Sequence, residues 1–197
     1  HGCLDPAFID YVSGLSMSPS VLLVSLGVDM DLSSYPVITH HLDREFEVVI
    51  ASNADPALAP PGMASVLLMA SADHSDFPPR GTQEYLNTKK ELAEQVIEKA
   101  TELIPELQNQ IVVQDVATPH TFERYTGIPE GAIYSFDQSV GTKRPYFKTP
   151  IRGLYLASAS TFPGAGIEAV VISGRICASD IMGWPEARRL RQRSSRS

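Results

Sequence analysis

The residue pattern with the clearest chemical use lies within residues 153–180, where a glycine turn joins two apolar segments. The turn reads Pro163-Gly164-Ala165-Gly166. Glycine adopts backbone conformations that side chains oppose, and it leaves room for a close ligand. A helix that begins at about Ile167 would direct its unpaired N–H groups and its positive dipole end toward the same point. The pattern therefore predicts a strand at residues 154–156, a turn and a helix that together bind an anionic or electron-rich group.

The same residues also fit the G-x-G-x-x-G/A pattern of dinucleotide-binding sites, from Gly164 to Ala169. That pattern works within a β-α-β unit. The sequence after the helix, GWPEARRLRQRSSRS, contains no apolar run that could pair as the next parallel strand. We therefore expect no self-contained Rossmann site. A glycine turn that only packs a helix on a strand is the structural alternative, which the residues alone leave open.

Three motifs in a fixed order carry a resemblance to a known family. They are DPALAPPG at residues 55–62, TPHTFERYTGIPEGAIYSFDQS at residues 118–139, and the glycine turn. Together they resemble the C-terminal part of the FAD-dependent oxidoreductases related to phytoene desaturase. This family includes bacterial-type phytoene desaturases, carotenoid isomerases and retinol saturases. The resemblance extends from about Ser18 to Ile181.

The resemblance implies that the strand, turn and helix form the last FAD-binding element of such an enzyme. The residues implied to bind the cofactor are Ser158, Ala159, Thr161, Gly164, Ala165, Gly166, Ile167 and Glu168. The backbone N–H groups of Gly166, Ile167 and Glu168 are expected to face the flavin edge that carries negative charge on reduction. No side chain is assigned a catalytic role, because the flavin itself performs the redox step. No metal site is expected.

The family also has an N-terminal G-x-G-x-x-G unit for the ADP half of FAD. In this sequence G-x-G occurs only at residues 164–166. The resemblance thus implies the C-terminal portion of a longer desaturase, dehydrogenase or isomerase that acts on a hydrophobic, isoprenoid-like substrate. The chain alone is expected to be inactive and free of FAD. A stand-alone binding or regulatory module without catalysis is the alternative from a different functional class.

The residues upstream of the turn predict an α+β fold with a mixed, mainly antiparallel sheet and helices on one side. Apolar runs predict strands at residues 21–28, 45–52, 65–71 and 111–118. A short helix is predicted after Thr118, and a long amphipathic helix at residues 82–103. The expected apolar face of the long helix comprises Tyr85, Leu86, Leu92, Val96, Ile97, Ala100, Leu103 and Ile104.

Three segments are predicted along the chain. Residues 1–150 resemble a partial substrate-binding domain, and residues 151–183 the flavin-binding element that belongs to an FAD-binding domain. Residues 184–197 form a basic tail that is expected to be disordered. The five arginines of that tail leave a peripheral membrane contact open as an alternative.

Composition limits the partners. The chain has 43% hydrophobic residues and a formal net charge of −7, so we expect a globular protein that does not bind nucleic acid. Cys3 and Cys177 form no C-x-x-C motif, which gives no reason to expect a disulfide framework or a thiolate metal site. The expected location is cytoplasmic, with a membrane-peripheral location as the alternative. The residues do not determine the oligomeric state.

For several other side chains the sequence offers two alternative roles. His40 and His41 could be a metal pair, but neighbouring residues on a strand point in opposite directions and no third ligand is recognisable. His120 is expected to be a structural or capping residue rather than an acid or base. Glu168 is expected to cap its helix, with contact to a substrate more polar than a carotenoid as the alternative. Four aromatic side chains could line an apolar substrate slot or belong to the core: Tyr134, Phe136, Tyr146 and Phe147.

Overall fold

The computed structural model describes residues 4–41 and 46–183. Backbone contacts divide the chain into two compact units. We call residues 19–133 the sheet unit, and residues 4–18 together with 134–183 the turn unit. The predicted basic tail and Cys3 lie outside the described residues. The predicted domain boundary at residue 150 stays a prediction.

The sheet unit is built on a five-stranded sheet. Its strands are β1 (Val21–Val28), β2 (Ile38–His41), β3 (Phe46–Ile50), β4 (Ala64–Ser71) and β5 (Ile111–Ala117), in the spatial order β2-β3-β4-β1-β5. The four strand positions predicted from apolar runs are confirmed, and β2 was missed. Its residues Ile-Thr-His-His alternate between exposed and half-buried positions, so β2 lacks the apolar pattern of a buried strand.

Every strand pair of the sheet is antiparallel, so the expected mixture of parallel and antiparallel pairs is wrong. The long helix does connect two strands that run in the same direction, β4 and β5. Because β1 lies between them and runs against both, no parallel pair forms.

The helices are α1 (Pro6–Ser13), α2 (Ala51–Ala54), α3 (Gln83–Leu103), α4 (Pro119–Thr126) and α5 (Ile167–Ile181). Helix α3 begins where predicted, because the Thr82 hydroxyl accepts a hydrogen bond from the Tyr85 N–H at 3.1 Å. Within the described residues, no helix has both the length and the apolar character that crossing a bilayer requires.

Helix α3 covers one face of the sheet and closes the core. Val24, Val66 and Leu68 are fully buried beneath it, in one cluster with Val96 and Ile97 of the helix. The prediction that Leu86 belongs to this face is wrong, since 53% of its surface is exposed. Leu86 follows the buried Tyr85, and one residue turns an α-helix by about 100°, which carries Leu86 out of the core.

The turn unit corrects one part of the expected strand, turn and helix. Helix α5 begins at Ile167, as predicted. Residues 154–156, however, form no strand. Tyr155 makes only an isolated bridge with Lys148, and the Leu156 N–H donates to the Phe147 carbonyl at 2.7 Å. A strand requires a neighbour that takes up successive N–H and C=O groups, and for residues 154–156 the described residues provide one bridge only.

The core of the sheet unit makes a direct prediction about stability. Leu68→Ala removes buried methyl groups between β1 and β3, so unfolding free energy should fall by about 2–5 kcal/mol. Leu86→Ala makes the same chemical change at the exposed position and should alter stability by no more than about 0.5 kcal/mol. Urea denaturation followed by circular dichroism measures both. Equal losses would contradict the observed orientation of α3.

Candidate functional site

Thr161 fixes the segment that leads into the glycine turn. Its side chain is fully buried, and its hydroxyl accepts a hydrogen bond from the Ser158 N–H at 3.1 Å. The same oxygen lies 2.9 Å from the Ser158 carbonyl and 2.7 Å from the hydroxyl of Ser173, which is buried in α5. Thr161 thereby ties the loop at residues 158–161 to α5. Its hydroxyl is used within the protein, so its part in ligand binding would be to shape the loop.

The two glycines of the turn are required for different reasons. Both have a positive φ, +134° at Gly164 and +101° at Gly166, a region that disfavours residues with side chains. A Cβ atom at Gly164 would in addition overlap the side-chain oxygen of Gln138. A Cβ atom at Gly166 would meet no described atom within 4 Å, so the turn is open there. Gly164 is thus packed against the protein, whereas Gly166 faces free space.

Beyond Gly166, the first turn of α5 presents unused hydrogen-bond donors. The first bond of the helix runs from the Val170 N–H to the Gly166 carbonyl at 3.0 Å. Within the part of the chain that the structure describes, the N–H groups of Gly166, Ile167 and Glu168 have no acceptor. Ile167 is 81% exposed. The structure therefore brings together three N–H groups and a helix N-terminus at an accessible position, which suits an anionic or acceptor-rich ligand.

Glu168 does not form the hydrogen-bonded cap that its position suggested. Its side chain is exposed, and no N–H group of the described residues donates to it. Gly166 occupies the N-cap position and has no side chain that could act as a cap. The carboxylate still lies in the first turn, where the helix dipole favours negative charge. The free N–H groups of the helix consequently stay available.

Among the other predicted site residues, Ser158 is exposed and Ala159 half-buried beside the Thr161 anchor. The Ser158 hydroxyl accepts a hydrogen bond from the Ser160 N–H at 3.1 Å, which closes the loop on itself. Ala165 donates its N–H to Gln138 at 3.2 Å. The structure thus divides the predicted cofactor-binding residues into two groups. Gly166, Ile167 and Glu168 present N–H groups outward, whereas Thr161, Gly164 and Ala165 are held from within.

Two side chains that the sequence analysis missed hold the turn, Gln138 and Arg144. The Gln138 oxygen accepts the Ala165 N–H, and the Arg144 guanidinium donates to the Pro163 carbonyl at 3.0 Å. Gln138 belongs to the motif at residues 118–139, which served for the resemblance but was given no role. A half-buried arginine in a loop has no periodic pattern in the sequence, so only the structure shows its partners.

Asp137 orders the loop between these two side chains. Its carboxylate accepts hydrogen bonds from the Ser139 hydroxyl at 2.7 Å and the Thr142 hydroxyl at 2.8 Å. These two bonds, with a smaller contribution from the Ser139 N–H and the charge of Arg144, lower the pKa of the Asp137 carboxyl. The carboxylate accordingly stays ionised and keeps the loop closed. Tyr11 of α1 donates to the Lys143 carbonyl nearby, and burial raises the pKa of its phenol.

The four aromatic residues that could line a substrate slot or belong to the core differ in burial. Phe147 is buried in a small core with Ile176 and Cys177, against which Tyr146 packs. Tyr134 is 47% exposed and Phe136 is half-buried. Phe147 is therefore a core residue of the turn unit, with the partly buried Tyr146 packed against it.

The histidines of the sheet unit make local contacts. His40 pairs with Glu47 across β2 and β3 at 2.6 Å. The His120 ring stacks on the His74 ring with 3.9 Å between centroids, and His74 binds Glu123 at 2.9 Å. The cap of α4 is Thr118, whose hydroxyl accepts the Thr121 N–H, so of the two roles expected for His120 the structural one applies and the capping one does not. Among the described residues, no group of three His, Cys, Asp or Glu side chains could hold a metal ion.

An apolar groove lies at one end of the sheet. It has a volume of about 380 Å³ between the end of β1, the start of β4, the loop before β4 and β5. Leu58, Val112 and Val113 on its wall are more than half exposed. Gly27 forms its floor, where a Cβ atom would press on Val113. The groove can accept part of an apolar molecule.

Comparison with known proteins supplies the family context. Residues 40–182 match the profile of a family described as flavin containing amine oxidoreductase. The chain is 30% identical over 179 residues to a chloroplast prolycopene isomerase of Daucus carota, an alignment that covers 82% of this chain and 29% of the relative. It is 33% identical over 131 residues to a lycopene-forming phytoene desaturase of Pseudescherichia vulneris, covering 64% of this chain and 26% of the relative.

A solved structure shares the fold. The crystal structure of an oxidoreductase from Methanosarcina mazei superimposes with a TM-score of 0.57 at 19% identity, over 86% of this chain and 36% of that chain. The chain spans less than a third of the length of the two curated relatives described above.

The Thr161 anchor can be tested by a double-mutant cycle. Thr161→Val and Ser173→Ala each remove the hydrogen bond between the two buried hydroxyls, so each should lower the unfolding free energy by about 1–3 kcal/mol. The double variant removes both polar partners and should lose less than the sum of the single losses. Urea denaturation of the four proteins gives the coupling energy. Strictly additive losses would show that the two hydroxyls do not interact.

Proposed function

Because the chain belongs to the family of flavin-containing amine oxidoreductases, we propose that its glycine turn and the N-terminus of α5 bind FAD in a longer oxidoreductase. The matches to prolycopene isomerase and phytoene desaturase confirm the resemblance to phytoene desaturase-related members. The observation that carries the proposal is the set of outward N–H groups at Gly166, Ile167 and Glu168, next to open space at Gly166.

The residues present fit a flavin edge. When bound, the flavin supplies hydride transfer to or from the substrate. The chain would contribute three N–H donors to acceptor atoms of the ring, and the positive end of α5 would favour negative charge there. Gly166 lets the ring approach the backbone closely, because it has no side chain and its φ of +101° suits glycine. Thr161 and Gly164 would act from behind by holding the turn in shape.

The proposed substrate is a hydrophobic molecule of the isoprenoid class. The names of the relatives indicate carotenoid chemistry, either desaturation or isomerisation. The groove bounded by Leu58, Val112 and Val113 supports this proposal, since its wall is apolar and accessible. At about 380 Å³ it would hold one segment of a long polyene rather than the whole molecule.

We further propose that the ADP half of FAD is bound by a part of the enzyme outside this sequence. Support comes from the single G-x-G of the chain, which lies in the turn, and from relatives more than three times as long as the matched region. On this proposal the 197-residue chain neither retains FAD nor turns over substrate alone. A cytoplasmic location stays a prediction.

Substitution of Gly166 tests the cofactor site in the full-length enzyme. Gly166→Val places a branched side chain where the flavin edge is proposed, so the Kd for FAD should rise at least about tenfold. Gly81→Val is the matched control, since Gly81 has a similar φ of +91° and open space around it but lies in the sheet unit. Fluorescence titration of the apoprotein with FAD measures both.

Equal FAD affinity in the two valine variants and the wild type would contradict the site. The 197-residue chain should be colourless after gel filtration in the presence of FAD. A stoichiometric yellow flavin on that chain would contradict the proposal that the ADP half is bound elsewhere.

Introducing a charged side chain into the apolar groove tests the proposal that the groove binds a hydrophobic substrate. Val113→Asp should raise the KM of the full-length enzyme for phytoene or prolycopene at least about tenfold, because a carboxylate would be desolvated against hydrocarbon. Val140→Asp adds the same charge at a fully exposed valine of the turn unit and should leave KM unchanged. Steady-state kinetics with detergent-dispersed substrate provides the comparison. Unchanged KM in Val113→Asp would remove the groove from the substrate path.

A further inference from the structure

Two side chains from residues 134–144 use up the inward-facing polar groups of the glycine turn. Arg144 donates through one terminal nitrogen to the Pro163 carbonyl at 3.0 Å and through the other to the Asp137 carbonyl at 3.1 Å. Gln138 accepts the Ala165 N–H at 3.2 Å, and its amide nitrogen donates to the Phe136 carbonyl at 2.6 Å. We call this pair of side chains the clamp.

The clamp selects one conformation of the turn. It bonds the carbonyl before Gly164 and the N–H after it, which fixes the orientation of both peptide groups around Gly164. Gly164 itself is pressed against Gln138 and Arg144, with no space for a Cβ atom. After Ala165, the N–H groups from Gly166 to Ala169 have no acceptor among the described residues, and that of Val170 is the first to be bonded. The clamp thus fixes the backbone immediately before the proposed flavin donors.

Arg144 contributes both a forked hydrogen-bonding geometry and a positive charge to the clamp. Its guanidinium spans two carbonyls in a fixed fork, which a lysine ammonium cannot reproduce. None of the described ion pairs includes Arg144, and its charge is only the last contributor to the lowered pKa of Asp137. The positive charge of Arg144 thus lies on the inner side of the turn, where no described ion pair neutralises it.

We infer that Gln138 and Arg144 are positioning residues for the flavin: they preset the turn so that the N–H groups of Gly166, Ile167 and Glu168 meet the ring, and Arg144 adds positive charge behind them. This inference rests on the proposed function of the turn. It assigns FAD affinity to two side chains that need not touch the cofactor.

The first experiment measures FAD binding in the full-length enzyme. Arg144→Lys retains the charge but loses the fork, and Arg144→Met loses both, so the Kd for FAD should rise at least about fivefold in the first and more in the second. Gln138→Leu removes the acceptor of the Ala165 N–H and should weaken binding to a similar degree. Arg152→Lys and Arg152→Met are matched controls at an exposed arginine of the turn unit and should bind FAD as the wild type does.

The second experiment needs no flavin and is done on the 197-residue chain. Hydrogen exchange followed by NMR should show a protected Ala165 amide in the wild type and fast exchange at that amide in Gln138→Leu. The Val170 amide, bonded within α5, should stay protected in both and so reports that the helix is intact. If Gln138→Leu does not fold, Arg144→Lys takes its place in the exchange measurement. Fast exchange at the Ala165 amide is again the expected result.

The outcomes separate the two proposals. If Ala165 loses protection but FAD binds as tightly as before, while Gly166→Val still weakens binding, the clamp inference is overturned and the flavin site stands. If neither the clamp variants nor Gly166→Val changes FAD affinity, both proposals fail. Weaker FAD binding in the clamp variants, with unchanged binding in the Arg152 variants, supports the inference. An exposed, rapidly exchanging Ala165 amide in the wild type would also overturn it.

Discussion

The arrangement of the candidate site depends on how the polar groups of the glycine turn are satisfied. A buried N–H or carbonyl without a partner is costly, so each such group in a tight turn must be bonded or face outward. Thr161, Gln138 and Arg144 bond those on the inner side. Donors without a described acceptor follow one another at the start of α5, where the first N–H groups of a helix face its N-terminal end. A binding surface for a ligand with acceptor atoms thus results from the bonding of the turn itself.

Helix α5 shows the same principle in its interior. Its buried side includes Ser173, Ser179 and Asp180, while Ile167 and Val171 are exposed. The buried side of α5 thus mixes these polar residues with the apolar Ile176 and Cys177. The Ser173 hydroxyl bonds to Thr161 and the Asp180 carboxylate pairs with Lys148 at 3.0 Å, so polar partners compensate the burial. Helix α5 is anchored by polar contacts as well as by the packing of Ile176 and Cys177, whereas the buried side of α3 is almost entirely apolar.

The sheet unit serves a different purpose, since its stability comes from apolar burial. Val24, Leu68 and Val48 lie opposite one another on adjacent strands and are all buried under α3. The same antiparallel register leaves alternate residues on the other face. At one end of the sheet the small side of Gly27 and the exposed valines of β5 leave the apolar groove. A well-packed core thus supports an apolar surface that is accessible to a ligand.

The sequence determined those features that depend on near neighbours in the chain. The Thr82 cap, the four apolar strands and the start of α5 after Gly166 follow from local patterns and local backbone preference, and the three ordered motifs identified the family. Tertiary structure decided the rest. Residues 154–156 form no strand because a strand needs a partner, and Leu86 is exposed because helix orientation is set by packing. The contacts of Gln138 and Arg144 join residues up to 27 positions apart, and no local pattern encodes which buried carbonyl or N–H a distant side chain will meet.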